Sequence, residues 1–285
     1  MPSSKPSSFA LTSEGRVQLY STLELLNMPE PEWLIDGIIP KQAFVVLYGP
    51  SGCGKSFVAI DIAMCVSSGL AWQSHEVDTG FAVYISAEGT SGIGQRAKAW
   101  LLANRKHADE TNIAWAVESV PIYQDSEDLQ ALFDRFDELQ DQPAIVVVDT
   151  LARCFEGDEN DTPDMAAFVK GIDRLRNECG STVLVVHHTN SSDSRERGNG
   201  SLRGAADTMI RMMPGILGSG IRTALRPVQN SFTFLMDKQK EALPCNIGLG
   251  SLVSVKVGLD AHGRDRTSGV VRMEWLSKEE SDELA

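Results

Sequence analysis

The chain has 285 residues, 26 Lys and Arg against 39 Asp and Glu, and a net charge of −13; its 42% hydrophobic and 23% charged residues exclude a disordered or fibrous class. No stretch approaches the roughly 20 apolar residues of a membrane span, and Met1 to Ser8 reads as a Ser/Pro-rich tail rather than a signal segment, so a cytoplasmic protein with no membrane partner is expected. Cys53, Cys65, Cys154, Cys179 and Cys245 contain no CxxC pair, which fits neither a disulfide framework nor a zinc site.

In chain order, residues 1–30 are polar and weakly periodic and read as a leader. Residues 29–40 have Pro at both ends of a short apolar stretch and read as part of a strap onto a core. An apolar run at 43–47 ends in Tyr48 and a Gly/Ser-rich turn, the pattern of a buried strand feeding a loop. Similar runs follow at 81–86, 144–148 and 182–186. Between them, Leu129, Leu132, Phe133, Phe136 and Leu139, then Met165, Phe168, Val169, Ile172 and Leu175, recur at helical spacing. Residues 204–213 also read as helical. Strands alternating with helices imply an α/β fold, a mostly parallel sheet covered on both faces. From about residue 220 the helical pattern stops, and 232–237, 252–257 and 270–275 read as antiparallel strands extending that sheet. The expected organisation is a leader at 1–30, one domain at 31–276 and an acidic tail at 277–285.

The first strand runs into Gly49-Pro50-Ser51-Gly52-Cys53-Gly54-Lys55-Ser56 and then into the helical residues 57–66. This is the G-x-x-x-x-G-K-[ST] pattern with a strand before it and a helix after it. Its glycines let backbone N–H groups face phosphate oxygens, and the helix N-terminus adds partial positive charge. Lys55 would reach the β- and γ-phosphates and Ser56 would offer its hydroxyl to Mg²⁺. Cys53 fills a variable position where the backbone matters more than the thiol. The run at 144–148 ends in Asp149, a carboxylate placed to hold a water of the Mg²⁺ shell at the C-terminal edge of the sheet. The run at 81–86 leads to Glu88, a candidate base for an attacking water; the competing reading is a helix N-terminal charge.

The run at 182–186 ends in His187-His188-Thr189-Asn190. Adjacent strand residues face opposite sides, so at most one His can touch a γ-phosphate. Residues 191–204 are Gly/Ser-rich, carry Arg195, Arg197 and Arg203, and hold one apolar anchor, Leu202. Behind a nucleotide sensor, such a loop suits a grip on a phosphate backbone; the competing reading is a solvated loop.

Four blocks, GPSGCGKS, VYISAEG, VVVDTLARCFEGDENDTPDM and VLVVHHTN with its Gly-rich loop, resemble the RecA-like ring ATPases, and most closely the RepA-type replicative helicases of plasmids and phages. The resemblance covers about residues 30 to 260. It implies a RecA-like P-loop NTPase fold, ATP and Mg²⁺ at Lys55, Ser56 and Asp149, Glu88 as catalytic base and His188 as sensor. It also implies contacts to single-stranded DNA from 153–162 and 191–204, and a homo-hexamer or other ring working with replication proteins. For the arginine that a ring neighbour supplies, Arg211 matches the RepA-type position. Lys238-Gln239-Lys240 resembles a Lys-Gln-Arg element of other helicases, but its last residue is Lys, which lacks the bidentate contact of a guanidinium. Arg211 is therefore favoured, with Lys238 and Lys240 as accessory phosphate contacts.

The activity expected is that of an ATP-driven DNA helicase, with a loader, recombination factor or regulatory switch of the same fold as the alternative. A small-molecule kinase would need an acceptor pocket and lid, and no N-K-x-D element for guanine is present. The net acidity alone points away from nucleic acid, but it is segregated. Residues 105–165 carry 16 acidic and 4 basic side chains, whereas 166–277, with the sensor and loop, carry 15 basic and 10 acidic. An acidic flank and a basic functional segment fit a weak, salt-sensitive grip that depends on assembly.

Overall fold

The computed structural model describes residues 20–88, 90–139, 141–189, 200–217, 225–226, 230–241, 247–277 and 280. The chain divides into two compact units, Met1–Glu32 and Trp33–Ala285. In the first, the helix Thr22–Leu26 starts at a capping box: Ser21 Oγ accepts the Glu24 N–H at 3.3 Å and Glu24 Oε2 accepts the Ser21 N–H at 2.6 Å.

The second unit opens with a small antiparallel ladder, Trp33–Ile35 with Ile39–Pro40. Its main sheet has nine strands: β1 Phe44–Gly49, β2 Ala82–Ser86, β3 Ile113–Ala116, β4 Ile145–Asp149, β5 Thr182–His188, β6 Thr208–Pro214, β7 Ser231–Gln239, β8 Ile247–Leu259 and β9 Asp265–Trp275. In space they run β9-β8-β7-β6-β1-β5-β4-β2-β3. The neighbours from β3 to β6 are parallel, and β7, β8 and β9 add on antiparallel. The helices are α1 Lys55–Ser68, α2 Thr90–Asn104, α3 Glu127–Leu139, α4 Leu151–Cys154, α5 Thr162–Cys179 and α6 Ser201–Ala205.

Among the described residues two large cores result, one per sheet face, with a small third cluster of Ala99, Val257 and Val270. Val45, Leu47, Tyr84, Val147 and Val186 point into the first, against α1 and Trp100 of α2. Phe44, Val46, Val83, Val148 and Val185 point into the second, against Leu129, Phe133 and Phe136 of α3 and Met165, Phe168, Ile172 and Leu175 of α5. The two helical stripes read from sequence are thus the faces that α3 and α5 bury. By contrast, α1 is buried at every residue from Val58 to Ser67, so it carries no stripe. A helix hydrophobic all round belongs in a core. Asp161 starts α5 by accepting the Asp164 N–H, and Gly180 stops it with a left-handed φ of 68°.

The helical reading of 204–213 is wrong. Helix α6 ends at Ala205, and Thr208–Pro214 is strand β6, hydrogen-bonded to β1 on one side and β7 on the other. Its Met and Ala content favours helix, but Thr208, Met209, Ile210 and Met212 are fully buried between two strands and two cores. Tertiary burial overrides local propensity there. The short edge strand β3, half-buried throughout, left no signal in the sequence.

Candidate functional site

The parallel strands deliver their C-terminal ends to one edge, where the register sets Gly49 beside His188 and Ser86 beside Asp149. This is the edge at which open α/β sheets bind ligands. The chain leaves β1 as the loop 49–54 and enters α1 at Lys55. A Cβ on Gly49 would lie 2.1 Å from the Met212 carbonyl oxygen, so only glycine lets β1 pass β6 there. Gly52 and Gly54 have φ of 80° and 93°, the left-handed turn that opens the loop toward the α1 N-terminus. In that loop Pro50 is half-buried and Ser51 exposed. The Cys53 thiol is buried beneath it, and burial raises its pKa, so it stays a neutral packing group.

Lys55 is 3% exposed. Its Nζ donates to Gly49 O and Pro50 O, each at 2.8 Å, and lies 3.1 Å from His188 Nδ1. An ammonium has only donors, so Nδ1 must accept and the imidazole proton sits on Nε2. That Nε2 lies 3.8 Å from Glu88 Oε2. Burial lowers the Lys55 pKa, and the nearby Asp149 and Glu88 carboxylates oppose it. Phosphate oxygens are stronger acceptors for a cation than loop carbonyls, so Lys55 can exchange its partners for a phosphate without moving its backbone. His187, 1% exposed, points into the protein; of the pair, His188 is the one at the loop.

Glu88 lies just past β2. Its Oε1 accepts the Thr150 hydroxyl at 3.2 Å and the Arg153 Nε–H at 3.4 Å. Asp149 is 1% exposed; its Oδ2 accepts the Tyr84 hydroxyl at 2.6 Å, while Oδ1 is buried and takes no hydrogen bond among the described residues. Burial raises the Asp149 pKa, opposed chiefly by the hydrogen bond from the Tyr84 hydroxyl. A buried carboxylate oxygen with no partner, adjoining a hydroxyl at the mouth of a phosphate loop, is an oxygen donor set suited to a hard divalent cation. Ser56 and Asp149 therefore fit Mg²⁺.

The remaining candidates stand elsewhere. Arg211 is on β6, paired with Tyr48 and Leu235, on the sheet face opposite α1. Arg203 Nη1 donates to Asp237 Oδ2 at 2.6 Å. The Lys238 ammonium donates to the carbonyls of Arg203 and Ala206, each at 2.6 Å, and Lys240 pairs with Asp207 at 2.7 Å. Asp207 donates its N–H to Phe44 O, so these lysines lie by the start of β1, at the end of the sheet away from the loop. Arg195 and Arg197 lie outside the described residues.

Sequence reasoning missed three contributors, Tyr84 and Thr150, which hold the two acids, and Asp61 inside α1; it placed Arg153 in a DNA-contacting segment and missed its contact with Glu88. Asp61 accepts Trp100 Nε1–H at 2.7 Å and Gln73 Nε2–H at 2.8 Å, joining α1 to α2 and to the turn before β2. Gln73 in turn accepts the Met273 N–H of β9 at 3.1 Å. Tyr84 was recoverable, since its alternation along β2 sets it on the α1 side beneath Asp149. The others show only in tertiary structure.

A glycine-rich loop between a central parallel strand and a buried helix, with acids at the ends of two neighbouring strands, defines a P-loop domain of RecA-like fold. Residues 21–194 match a family model described as an AAA domain, AAA_25, and the chain belongs to that family. No curated protein matches it. Among solved structures, a RadB recombinase shares the fold at a TM-score of 0.52 and 12% identity, over 75% of this chain and 88% of that one. No helix among the described residues is long and apolar enough to cross a membrane.

Proposed function

We propose that this chain is an ATP-hydrolysing ring motor that binds single-stranded DNA and acts as a replicative DNA helicase of a phage or plasmid. The observation that carries the hydrolytic reading is the chain of contacts from Lys55 through His188 to Glu88, set beside an Asp149 Oδ1 that has no hydrogen-bond partner among the described residues. The loop N–H groups and Lys55 bind the β- and γ-phosphates. Bound Mg²⁺, held by Ser56 and Asp149, would neutralise charge on the phosphoryl oxygens. Glu88 accepts the proton of a water as its oxygen attacks the γ-phosphorus and the bond to the β–γ bridging oxygen breaks. Loss of the γ-phosphate returns Lys55 to Gly49 O, Pro50 O and His188 Nδ1, so His188 senses phosphate through Lys55.

Arg211 is the residue we assign to the neighbouring subunit's site. The face of the sheet it occupies keeps it from its own phosphate loop, whereas Lys238 and Lys240 are engaged within their own chain. The DNA reading is supported by the basic segment 166–277 and by the order of blocks along the chain. Glu88→Gln should keep ATP binding and lose about 10²–10⁴-fold in kcat, the range for a general base; unchanged turnover would remove Glu88 from the role. A recombination factor or switch without processive unwinding is the second reading, favoured by the shared fold with a recombinase. A fork substrate decides between them: DNA-stimulated hydrolysis without strand separation selects the second.

A further inference from the structure

The face of the sheet that carries Arg211 also holds a carboxylate that the phosphate chemistry leaves unused. In β7, Met236 faces Ile210 of β6 and Lys238 faces Met209, which makes Asp237 the extra residue of a bulge. A bulge breaks the alternation of a strand and re-aims its side chains. Lys238 and Asp237 accordingly both serve the face of the second core. Lys238 donates to the carbonyls of Arg203 and Ala206 at the end of α6, and Asp237 Oδ2 accepts the Tyr48 hydroxyl and the Arg203 Nη1–H, each at 2.6 Å. Arg203 Nη1 also lies 3.8 Å from Met209 Sδ, which sets its guanidinium over β6.

The Tyr48 contact spans a strand. Tyr48 is on β1 and Asp237 on β7, with β6 running between them, and adjacent strands lie about 4.8 Å apart. A Tyr48 hydroxyl bonded to Asp237 has therefore crossed β6, on the face where Met209 and Arg211 follow one another, and Arg211 is the β6 residue in register with Tyr48. Asp237 is 26% exposed. Burial pushes its pKa up, but the hydrogen bonds from Tyr48 and Arg203 and the charges of Arg203 and Arg211 outweigh that and hold the carboxyl below its ordinary value. Two guanidiniums thus answer to one fixed anion, of which Arg203 takes the hydrogen bond.

We infer that Asp237, fixed by Tyr48 and Arg203, is the positioning residue that aims Arg211 at the neighbouring subunit's γ-phosphate. Because Arg203 already compensates the carboxylate, Asp237 orients Arg211 without retaining it when a more highly charged phosphate approaches. Its anchor is also the strand that ends in the subunit's own phosphate loop: Tyr48 directly precedes Gly49, whose carbonyl accepts from Lys55. Asp237 touches neither nucleotide nor water and acts through Arg211. The inference rests on Arg211 being the arginine supplied to the neighbouring site.

The test is steady-state hydrolysis at saturating ATP by the full chain as wild type, Arg211→Ala, Asp237→Asn, Tyr48→Phe and the two pairings of Arg211→Ala with the others, with assembly checked by light scattering. Arg211→Ala should lower kcat by about 10³-fold, the low end for such an arginine. Asp237→Asn should lower kcat by about 10- to 100-fold, the cost of a misplaced group, with KM for ATP unchanged. Tyr48→Phe, which keeps the carboxylate and Arg203, should lower it less. Neither change should slow Arg211→Ala further, a non-additivity that a purely structural role does not produce. Tyr48→Phe carries the same comparison if Asp237→Asn does not assemble. Wild-type kcat in Asp237→Asn and Tyr48→Phe, or losses that multiply with that of Arg211→Ala, overturn the positioning role while Arg211 keeps its own. Turnover by Arg211→Ala at the wild-type rate overturns the reading of Arg211, and the positioning role with it.

Discussion

The two ends of the parallel strands carry the same kinds of side chain and differ in what those side chains have left to bind. At the start of β1, Asp207 accepts the Phe44 N–H at 2.8 Å, Arg176 at 3.0 Å and Lys240 at 2.7 Å, and Lys238 is spread over helix-end carbonyls. Despite its burial, the Lys240, Phe44 and Arg176 contacts hold the Asp207 pKa low. At the other end, Asp149 Oδ1 has no partner among the described residues and Lys55 rests on loop carbonyls. Unspent hydrogen-bonding capacity separates a site from a structural cluster; residue type and charge do not.

The largest test of that contrast is Lys55→Ala. Losing charge-assisted hydrogen bonds worth roughly 1.5–3 kcal/mol each should weaken ATP binding by about 10²-fold or more in a fluorescent-nucleotide titration, with folding retained by circular dichroism. Retention of affinity would mean that the loop N–H groups alone hold the phosphates.

Asp61 sharpens the contrast from within the core, because it is as buried as Asp149 yet both its oxygens are bonded. Burial raises its pKa from 3.8 to about 6. The folded chain then holds a proton that the unfolded chain has lost between those values, so stability falls as pH rises through that window and stays lower above it. The fall is about 3 kcal/mol for a shift of this size. In Asp61→Asn this slope vanishes. Urea midpoints at pH 4 and pH 7 should show wild type losing about that much relative to the variant, and parallel losses in the two proteins would place the titration elsewhere.

Asp149→Asn acts on the unpartnered oxygen. The half-maximal Mg²⁺ for hydrolysis should rise by about 10-fold, as with other changes around a metal ligand, while nucleotide binding in EDTA stays as it was. Loss of both together would make Asp149 a fold determinant instead.

What the sequence made legible follows the same division. The runs at 43–47, 81–86, 144–148 and 182–186 could be read because a strand buried on both faces is continuously apolar and stops where the chain meets the site. The phosphate loop, Glu88, Asp149 and His188 followed from those stopping points. Partnership was not legible. Arg153 was legible only as the first residue of a segment expected to contact DNA, and its tie to Glu88 joins strands far apart in sequence. Asp61 drew no reading at all, because nothing local announces Trp100 and Gln73. Residues 204–213 were misread as helix because β6 owes its form to β1 and β7, not to its own propensities.

The smallest expected effect is the one that most directly challenges the contrast. Lys240 is 45% exposed and pairs with an Asp207 that has two other donors. A pair of this kind contributes at most about 1 kcal/mol. Lys240→Ala should therefore lower the urea midpoint slightly and leave ATP hydrolysis within about two-fold of wild type, since removing one donor leaves Asp207 satisfied by the other two. A loss of hydrolysis far beyond that, with nucleotide binding intact, would mean that Lys240 leaves Asp207 to reach a neighbouring subunit's phosphate. The start of β1 would then be a second functional edge, and Arg211 would lose the role assigned to it.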